Sequence, residues 1–161
     1  LPDDVMLAEP TVLSQLEMVR KKYGGSVLSL EKVDHDETSR YGIVDAEEVE
    51  PGVYKIKGLV EKPDPSEAPS DLAIMGRYVL APSIFLHLRS LKPGKGGEYQ
   101  LTDAIASMLK SEPVYGCLYR GQRLDCGVRE GWIKATVIKS LQDSKLREII
   151  LETLKEEKII N

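Results

Sequence analysis

Three places in the sequence put chemically useful side chains at the ends of apolar runs. Glu61-Lys62-Pro63 closes one such run and opens a proline-rich stretch. Lysine offers a compact positive charge to a phosphate, and glutamate accepts hydrogen bonds from neighbouring hydroxyls. Adjacent residues on a strand face opposite ways, so the two can serve one ligand only if the chain turns there, and a residue followed by proline reads as an extended or turn dipeptide. Asp125-Cys126-Gly127 supplies a carboxylate at a second strand terminus, beside a glycine that permits close approach. Asp3 and Asp4 form an acidic pair after Pro2. Carboxylates at the carboxyl ends of sheet strands are where α/β proteins hold metals and phosphates. Each piece also fits a plain structural role: an exposed ion pair for Glu61 and Lys62, and solvated turns for Asp3, Asp4 and Asp125.

The remaining reactive residue types carry less. Cys126 has no basic neighbour in sequence to activate it and Cys117 sits inside an apolar run, so both read as packing residues. His35, in a polar loop, and His87, on a helix beside Leu88, show no partner spacing for a metal or a triad. Gly94, Gly96 and Gly97 with Lys92 and Lys95 lack the Gly-x4-Gly-Lys-Ser/Thr spacing of a phosphate-binding loop and read as a flexible connection.

The elements that would position these residues follow from periodicity and punctuation. Helical spacing after Pro10 runs through Leu13, Leu16 and Val19 until Gly24-Gly25 stops it, and residues 26–33 read as a strand. Residues 41–49 and 53–60 are two β-rich runs joined by Glu50-Pro51-Gly52, a hairpin turn. Pro63, Pro65 and Pro69 confine residues 61–70 to a loop, because prolines remove donors and fix φ. A strand over 72–80, a short helix after Pro82 and a helix carrying Leu101, Ile105 and Met108 come next. Strand segments over 114–119 and at Arg123-Leu124 precede a helix striped by Trp132, Ile133, Val137 and Leu141, with Trp132 expected in the core. A last helix within residues 143–161 presents Leu146, Ile149, Ile150 and Leu154, either to this domain or to another subunit. Alternation with one clear hairpin predicts an α/β fold with a mixed sheet flanked by helices.

Composition bounds the partners. The 161 residues, 42% hydrophobic and 30% charged with net charge −4, suit a single unit with its own core. Basic residues are scattered among the acids, which argues against nucleic acid, and no run approaches the roughly 18 apolar residues of a membrane span. Two cysteines are too few for a disulfide framework, so a reducing compartment, the cytoplasm, is expected. The chain opens Leu1-Pro2-Asp3-Asp4 without an initiator methionine, which suggests a piece of a longer polypeptide, with residues 1–3 the end of a strand whose body lies upstream.

Taken as a set, several of these pieces stop being independent. Leu1-Pro2-Asp3, Tyr41-Gly42-Ile43-Val44, Val60-Glu61-Lys62-Pro63, Gly76-Arg77-Tyr78-Val79-Leu80, Gly97-Glu98-Tyr99-Gln100-Leu101-Thr102-Asp103 and Asp125-Cys126-Gly127 occur in that order over residues 1 to about 135. This pattern resembles the bacterial UTP-glucose-1-phosphate uridylyltransferase family. The resemblance implies a nucleotide-diphospho-sugar transferase fold and transfer of UMP from UTP to glucose 1-phosphate, giving UDP-glucose and pyrophosphate. It implies that Asp3 and Asp125 are magnesium ligands that must converge at strand ends on one side of the sheet. It further implies that Glu61 holds sugar hydroxyls, that Lys62 holds the sugar phosphate, and that Gly42 and Gly76 approach the sugar through backbone groups. The family's glycine-rich nucleotide loop is not in these 161 residues, so the chain corresponds to the carboxy-terminal portion and is expected to be inactive alone. A homo-oligomer is expected. Relatives acting on other sugar phosphates or nucleotides, and a non-catalytic sugar-phosphate-binding domain, are the alternatives. The family usually continues after Gly127 with Asn or Asp and then Lys, where this chain has Val128 and Arg129.

Overall fold

β2 (Ser26–Lys32) is the strand on which most of the chain is assembled, in a computed structural model that describes residues 3–94 and 97–160. Its first five residues are buried, which explains a near-continuous apolar run where a half-exposed strand would alternate. β5 (Leu72–Val79) pairs with it antiparallel, and β6 (Val114–Leu118) pairs with it in parallel on the other side. β3 (Gly42–Glu50) and β4 (Val53–Glu61) form the expected hairpin across Glu50-Pro51-Gly52, with Gly52 at φ +80°. β4 then pairs with β6 while β3 meets β5 at Ile43 opposite Ala73, so the five strands close in the order β2-β5-β3-β4-β6. The pairing is mixed as the sequence implied, but the sheet closes into a barrel. Two register slips in the β3–β4 ladder bend and twist the hairpin enough to reach both neighbours.

Helices cover this barrel. α1 (Val12–Tyr23) is capped by Thr11, whose Oγ1 accepts a hydrogen bond from the Ser14 N–H at 3.2 Å, and it buries Val12, Leu16 and Val19. Its one buried polar side chain, Gln15, is fully engaged. The Gln15 amide donates to the carbonyls of Pro10 (2.9 Å) and Arg120 (2.8 Å) and accepts from the Arg120 N–H (2.8 Å). α2 (Ile84–Arg89) and α3 (Leu101–Met108) lie together, and α3 drives Ala104, Ile105 and Met108 into a core shared with Leu28, Leu30, Val44, Ile56 and Ile74. Two short turns of 3-10 helix, His35–Arg40 and Pro65–Glu67, occupy stretches expected to be plain loop. In the first, Thr38 donates to the His35 carbonyl, and His35 itself pairs with Asp71 at 2.7 Å.

The chain divides into two compact units: Ala8–Arg120, and Leu1–Leu7 together with Gly121–Asn161. In the second, β1 (Asp4–Leu7) pairs antiparallel with β7 (Gln122–Asp125), Asp4 opposite Asp125. Asp3 stands just before β1, while Leu1 and Pro2 lie outside the described residues, as do Lys95 and Gly96 of the expected glycine-rich connection. α4 (Arg129–Gln142) packs on β7, and α5 (Ser144–Glu156) packs on α4. Trp132 is not in the core but 58% exposed. α4 meets β7 through its small residues: a Cβ added at Gly131 would lie 1.7 Å from the Asp125 carbonyl oxygen, and Ala135, one turn on, is the helix's one buried residue. That close approach turns Trp132 outward.

The stop of α1 gives a test of the unit built on β2. Gly24 (φ +73°) and Gly25 (φ +67°) are both left-handed, but a Cβ at Gly24 meets nothing within 4 Å, whereas one at Gly25 would lie 2.2 Å from the Pro113 carbonyl oxygen. Gly24→Ala should cost about 1 to 2 kcal/mol of unfolding free energy, and Gly25→Ala about 2 to 4 kcal/mol, read from urea denaturation. Equal losses at the two positions would contradict the packing described here.

Candidate functional site

The far end of the hairpin from its turn carries the acid and the base. The ladder sets Gly42 opposite Glu61, and the Lys62 N–H donates to the Tyr41 carbonyl at 3.0 Å, one step beyond the strand. There the backbone swings into the left-handed region, with Lys62 at φ +45°. The sequence required a turn if the two side chains were to act together, and this is the turn: Lys62 Nζ lies 3.9 Å from Glu61 Oε1. Glu61 is largely buried, its side chain 19% exposed, while Lys62 is 54% exposed. The other carboxylate oxygen, Glu61 Oε2, accepts a hydrogen bond from Thr102 Oγ1 at 2.7 Å. Thr102 belonged to one of the sequence motifs without any role assigned to it, since a contact spanning 41 positions leaves no local signal. Tyr78 is close enough to feel the same carboxylate: burial pushes its phenol up from the ordinary value, and the Glu61 charge pushes it further.

Gly42 and Gly76 hold different kinds of position. Gly42 is buried, and a Cβ there would sit 3.1 Å from Glu61 Oε2 and 3.3 Å from Ile74 Cδ1. Gly76 (φ +64°) lies in an irregularity of β5, where the register jumps from Tyr78 opposite Leu28 to Ile74 opposite Leu30. Three β5 residues thus face Ser29 alone, and the Arg77 N–H released from the ladder donates instead to Ser29 Oγ at 3.1 Å.

In the other unit, the β1–β7 ribbon brings Asp3 and Asp125 to either side of Gly127. A Cβ at Gly127 would lie 2.6 Å from Asp3 Oδ2 and 3.2 Å from Asp125 Oδ1, so both carboxylates flank the bare face of that glycine. The Cys126 N–H donates to the Asp3 carbonyl (2.7 Å) and the Gly127 N–H to Asp125 Oδ1 (3.0 Å). Arg123, two positions before Asp125 and on the same strand face, donates to Asp4 Oδ1 at 2.9 Å and lies 3.9 Å from Asp125 Oδ2. This buried Asp4–Arg123 pair was not singled out from sequence, although the alternation Arg123-Leu124-Asp125 carries it.

The lesser candidates take structural roles. Cys117 is buried, which pushes its thiol up and leaves it a poor nucleophile. Cys126 contacts the Leu124 carbonyl. His87 pairs with Ser107 at 3.0 Å. Among the described residues no group of three or more His, Cys, Asp and Glu side chains converges, and no helix is long and apolar enough to cross a membrane.

Residues 1–141 match the nucleotidyl transferase family. The chain belongs to that family. The UTP-glucose-1-phosphate uridylyltransferase of Staphylococcus haemolyticus is 42% identical over 156 residues, covering 97% of this chain and 54% of that protein. The enzyme of the same name from Komagataeibacter xylinus is 46% identical over 127 residues, 79% of this chain and 45% of that one. Among solved structures, UDP-glucose pyrophosphorylase complexed with UDP-glucose superposes with a TM-score of 0.84 at 41% identity, over 89% of this chain and 55% of the other. UTP-bound UGPase from Acinetobacter baumannii gives 0.79 at 32% identity, over 94% and 54%. This nucleotidyl transferase chain spans about half the length of the curated relatives it matches.

The geometry at Lys62 has a measurable consequence. A non-glycine residue in the left-handed region costs roughly 1 to 2 kcal/mol, partly offset in a glycine variant by the greater freedom of its unfolded chain. Lys62→Gly should therefore exceed Lys62→Ala in stability by about 1 kcal/mol in urea denaturation, both having lost the same charge. Equal midpoints for the two would mean the strain is not there.

Proposed function

We propose that this chain is the sugar-phosphate-binding portion of an enzyme that transfers UMP from UTP to glucose 1-phosphate, releasing pyrophosphate and forming UDP-glucose. The observation that carries the proposal is the left-handed turn at Lys62, which sets an ammonium beside the largely buried Glu61 carboxylate. Backbone strain of this kind persists where function requires it. A relative solved with UDP-glucose bound supports the substrate class.

On this reading Glu61 accepts hydrogen bonds from sugar hydroxyls and Lys62 neutralises the sugar phosphate, with Gly76 offering backbone groups. A phosphate oxygen of glucose 1-phosphate attacks the α-phosphorus of UTP in line and pyrophosphate departs. The residues position the reactants and balance their charge, and no covalent enzyme intermediate is needed. The donor set of the other unit fits magnesium, which is commonly held by one or two carboxylates and completed by substrate phosphates. Asp3 and Asp125 would hold it, and when bound it would offset charge developing on the phosphates. Arg123, next to Asp125, tempers the repulsion of the acids before a cation arrives. Free Cys117 and Cys126 suit a reducing, cytoplasmic setting, and the exposed Leu146, Ile149 and Leu151 of α5 suit association with another subunit.

In the full-length polypeptide that contains this chain, Lys62→Ala should raise the concentration of glucose 1-phosphate needed for half-saturation by about 10- to 150-fold, with little change for UTP. Pyrophosphate release under steady-state conditions reads both. Unchanged saturation by glucose 1-phosphate would return Lys62 to the role of a surface cation. Independently, Asp125→Asn should weaken manganese binding, followed by electron paramagnetic resonance, by about tenfold or more. Unaltered manganese binding would remove Asp125 from the ligand set.

A further inference from the structure

The two oxygens of the Glu61 carboxylate are not equivalent. Oε2 takes the hydrogen bond from Thr102, and Oε1 is the oxygen on the Lys62 side. Thr102 is the second residue of α3, a helix fixed by Ala104, Ile105 and Met108, none of them more than 1% exposed. The donor therefore stands on a rigid mount. Threonine is also stiff about χ1 because it is branched at Cβ. Its methyl lies 3.6 Å from where a Gly42 Cβ would be, which leaves the hydroxyl directed at Glu61. Gly42 completes the arrangement from below: a methyl group there would press on Glu61 Oε2 at 3.1 Å and on Ile74 Cδ1 at 3.3 Å.

We infer that Thr102 is the positioning residue that fixes the Glu61 carboxylate in one orientation, that Gly42 provides the space this orientation needs, and that the pair sets discrimination among hexose 1-phosphate epimers. The inference rests on Glu61 being the residue that meets sugar hydroxyls. A glutamate free to rotate can follow a hydroxyl that has moved to the other face of its carbon. One held by Thr102 cannot, and an epimer then leaves a desolvated carboxylate oxygen without its donor, the situation that yields strong discrimination. Holding the side chain beforehand also removes the cost of ordering it when the sugar arrives.

The test uses the full-length polypeptide that contains this chain, with glucose 1-phosphate compared against galactose 1-phosphate and mannose 1-phosphate. Thr102→Val keeps the shape and removes the donor. It should narrow the ratio of kcat/KM between glucose 1-phosphate and its better-used epimer by about tenfold, leave KM for UTP within about twofold, and lower the thermal midpoint by only a few degrees. Thr102→Ser, which keeps the hydroxyl, should return most of the ratio. Gly42→Ala, reached by an independent route, should narrow it in the same direction. Should Thr102→Val prove poorly folded, the Thr102→Ser and Gly42→Ala pair decides: a ratio kept by the first and lost by the second supports the inference. Glu61→Gln separates the two levels. If it erodes discrimination while Thr102→Val and Gly42→Ala do not, the positioning role is wrong and the reading of Glu61 stands. If Glu61→Gln itself leaves discrimination intact, Glu61 is not the sugar residue and both fail.

Discussion

A buried sheet can leave no polar backbone group unpaired, and β2 meets that constraint for the chain beside it with two of its own side chains. Ser26 and Ser29 are fully buried in the middle of an apolar run, where two hydroxyls would ordinarily be a burden. Each accepts a hydrogen bond from a neighbouring N–H that the ladder cannot satisfy: Ser26 Oγ from Ala81 at 2.9 Å, just past the end of β5, and Ser29 Oγ from Arg77 at 3.1 Å. These two bonds allow β5 to depart from regular pairing at Gly76 without orphaning a donor. The irregular stretch of β5 around Gly76 thus has its freed Arg77 donor satisfied by a serine of β2.

The same logic runs through the Glu61 end of the hairpin. Ladder pairing delivers Gly42 and Glu61 to each other, core burial of α3 delivers Thr102, and the strained Lys62 is tolerated because its N–H is still held by Tyr41. The sheet contributes two groups, and the helix and the turn one each. A site assembled in this way depends on three separate packing solutions being right at once, so its precision is a property of the whole barrel.

Much of this was legible in the sequence, and the gaps have physical causes. The hairpin, the glycine stop of α1 and the proline loop were carried by local backbone chemistry that needs no tertiary partner. Glu61 and Asp125 could be placed at strand ends for the same reason, whereas the pairing of Asp3 with Asp125 came only from the resemblance. Thr102 as a partner of Glu61 could not be read, because its contact is purely tertiary. β1 was missed since Val5, Met6 and Leu7 form a run too short to show a period. Trp132 was misjudged because periodicity marks a stripe but not which side of it a neighbour approaches, and α4 approaches through Gly131 and Ala135.

The β1–β7 ribbon carries an implication for synthesis. Asp4 and Arg123 are 119 positions apart, so β1 leaves the ribosome long before its partner strand exists. At roughly 5 to 20 residues per second β7 follows β1 by on the order of 6 to 24 s. Ala8–Arg120, whose strands all precede β7, is complete in sequence within that interval. Every strand of the barrel is thus synthesised before β7, and the Asp3–Asp125 pair is among the last features of this chain to come into being.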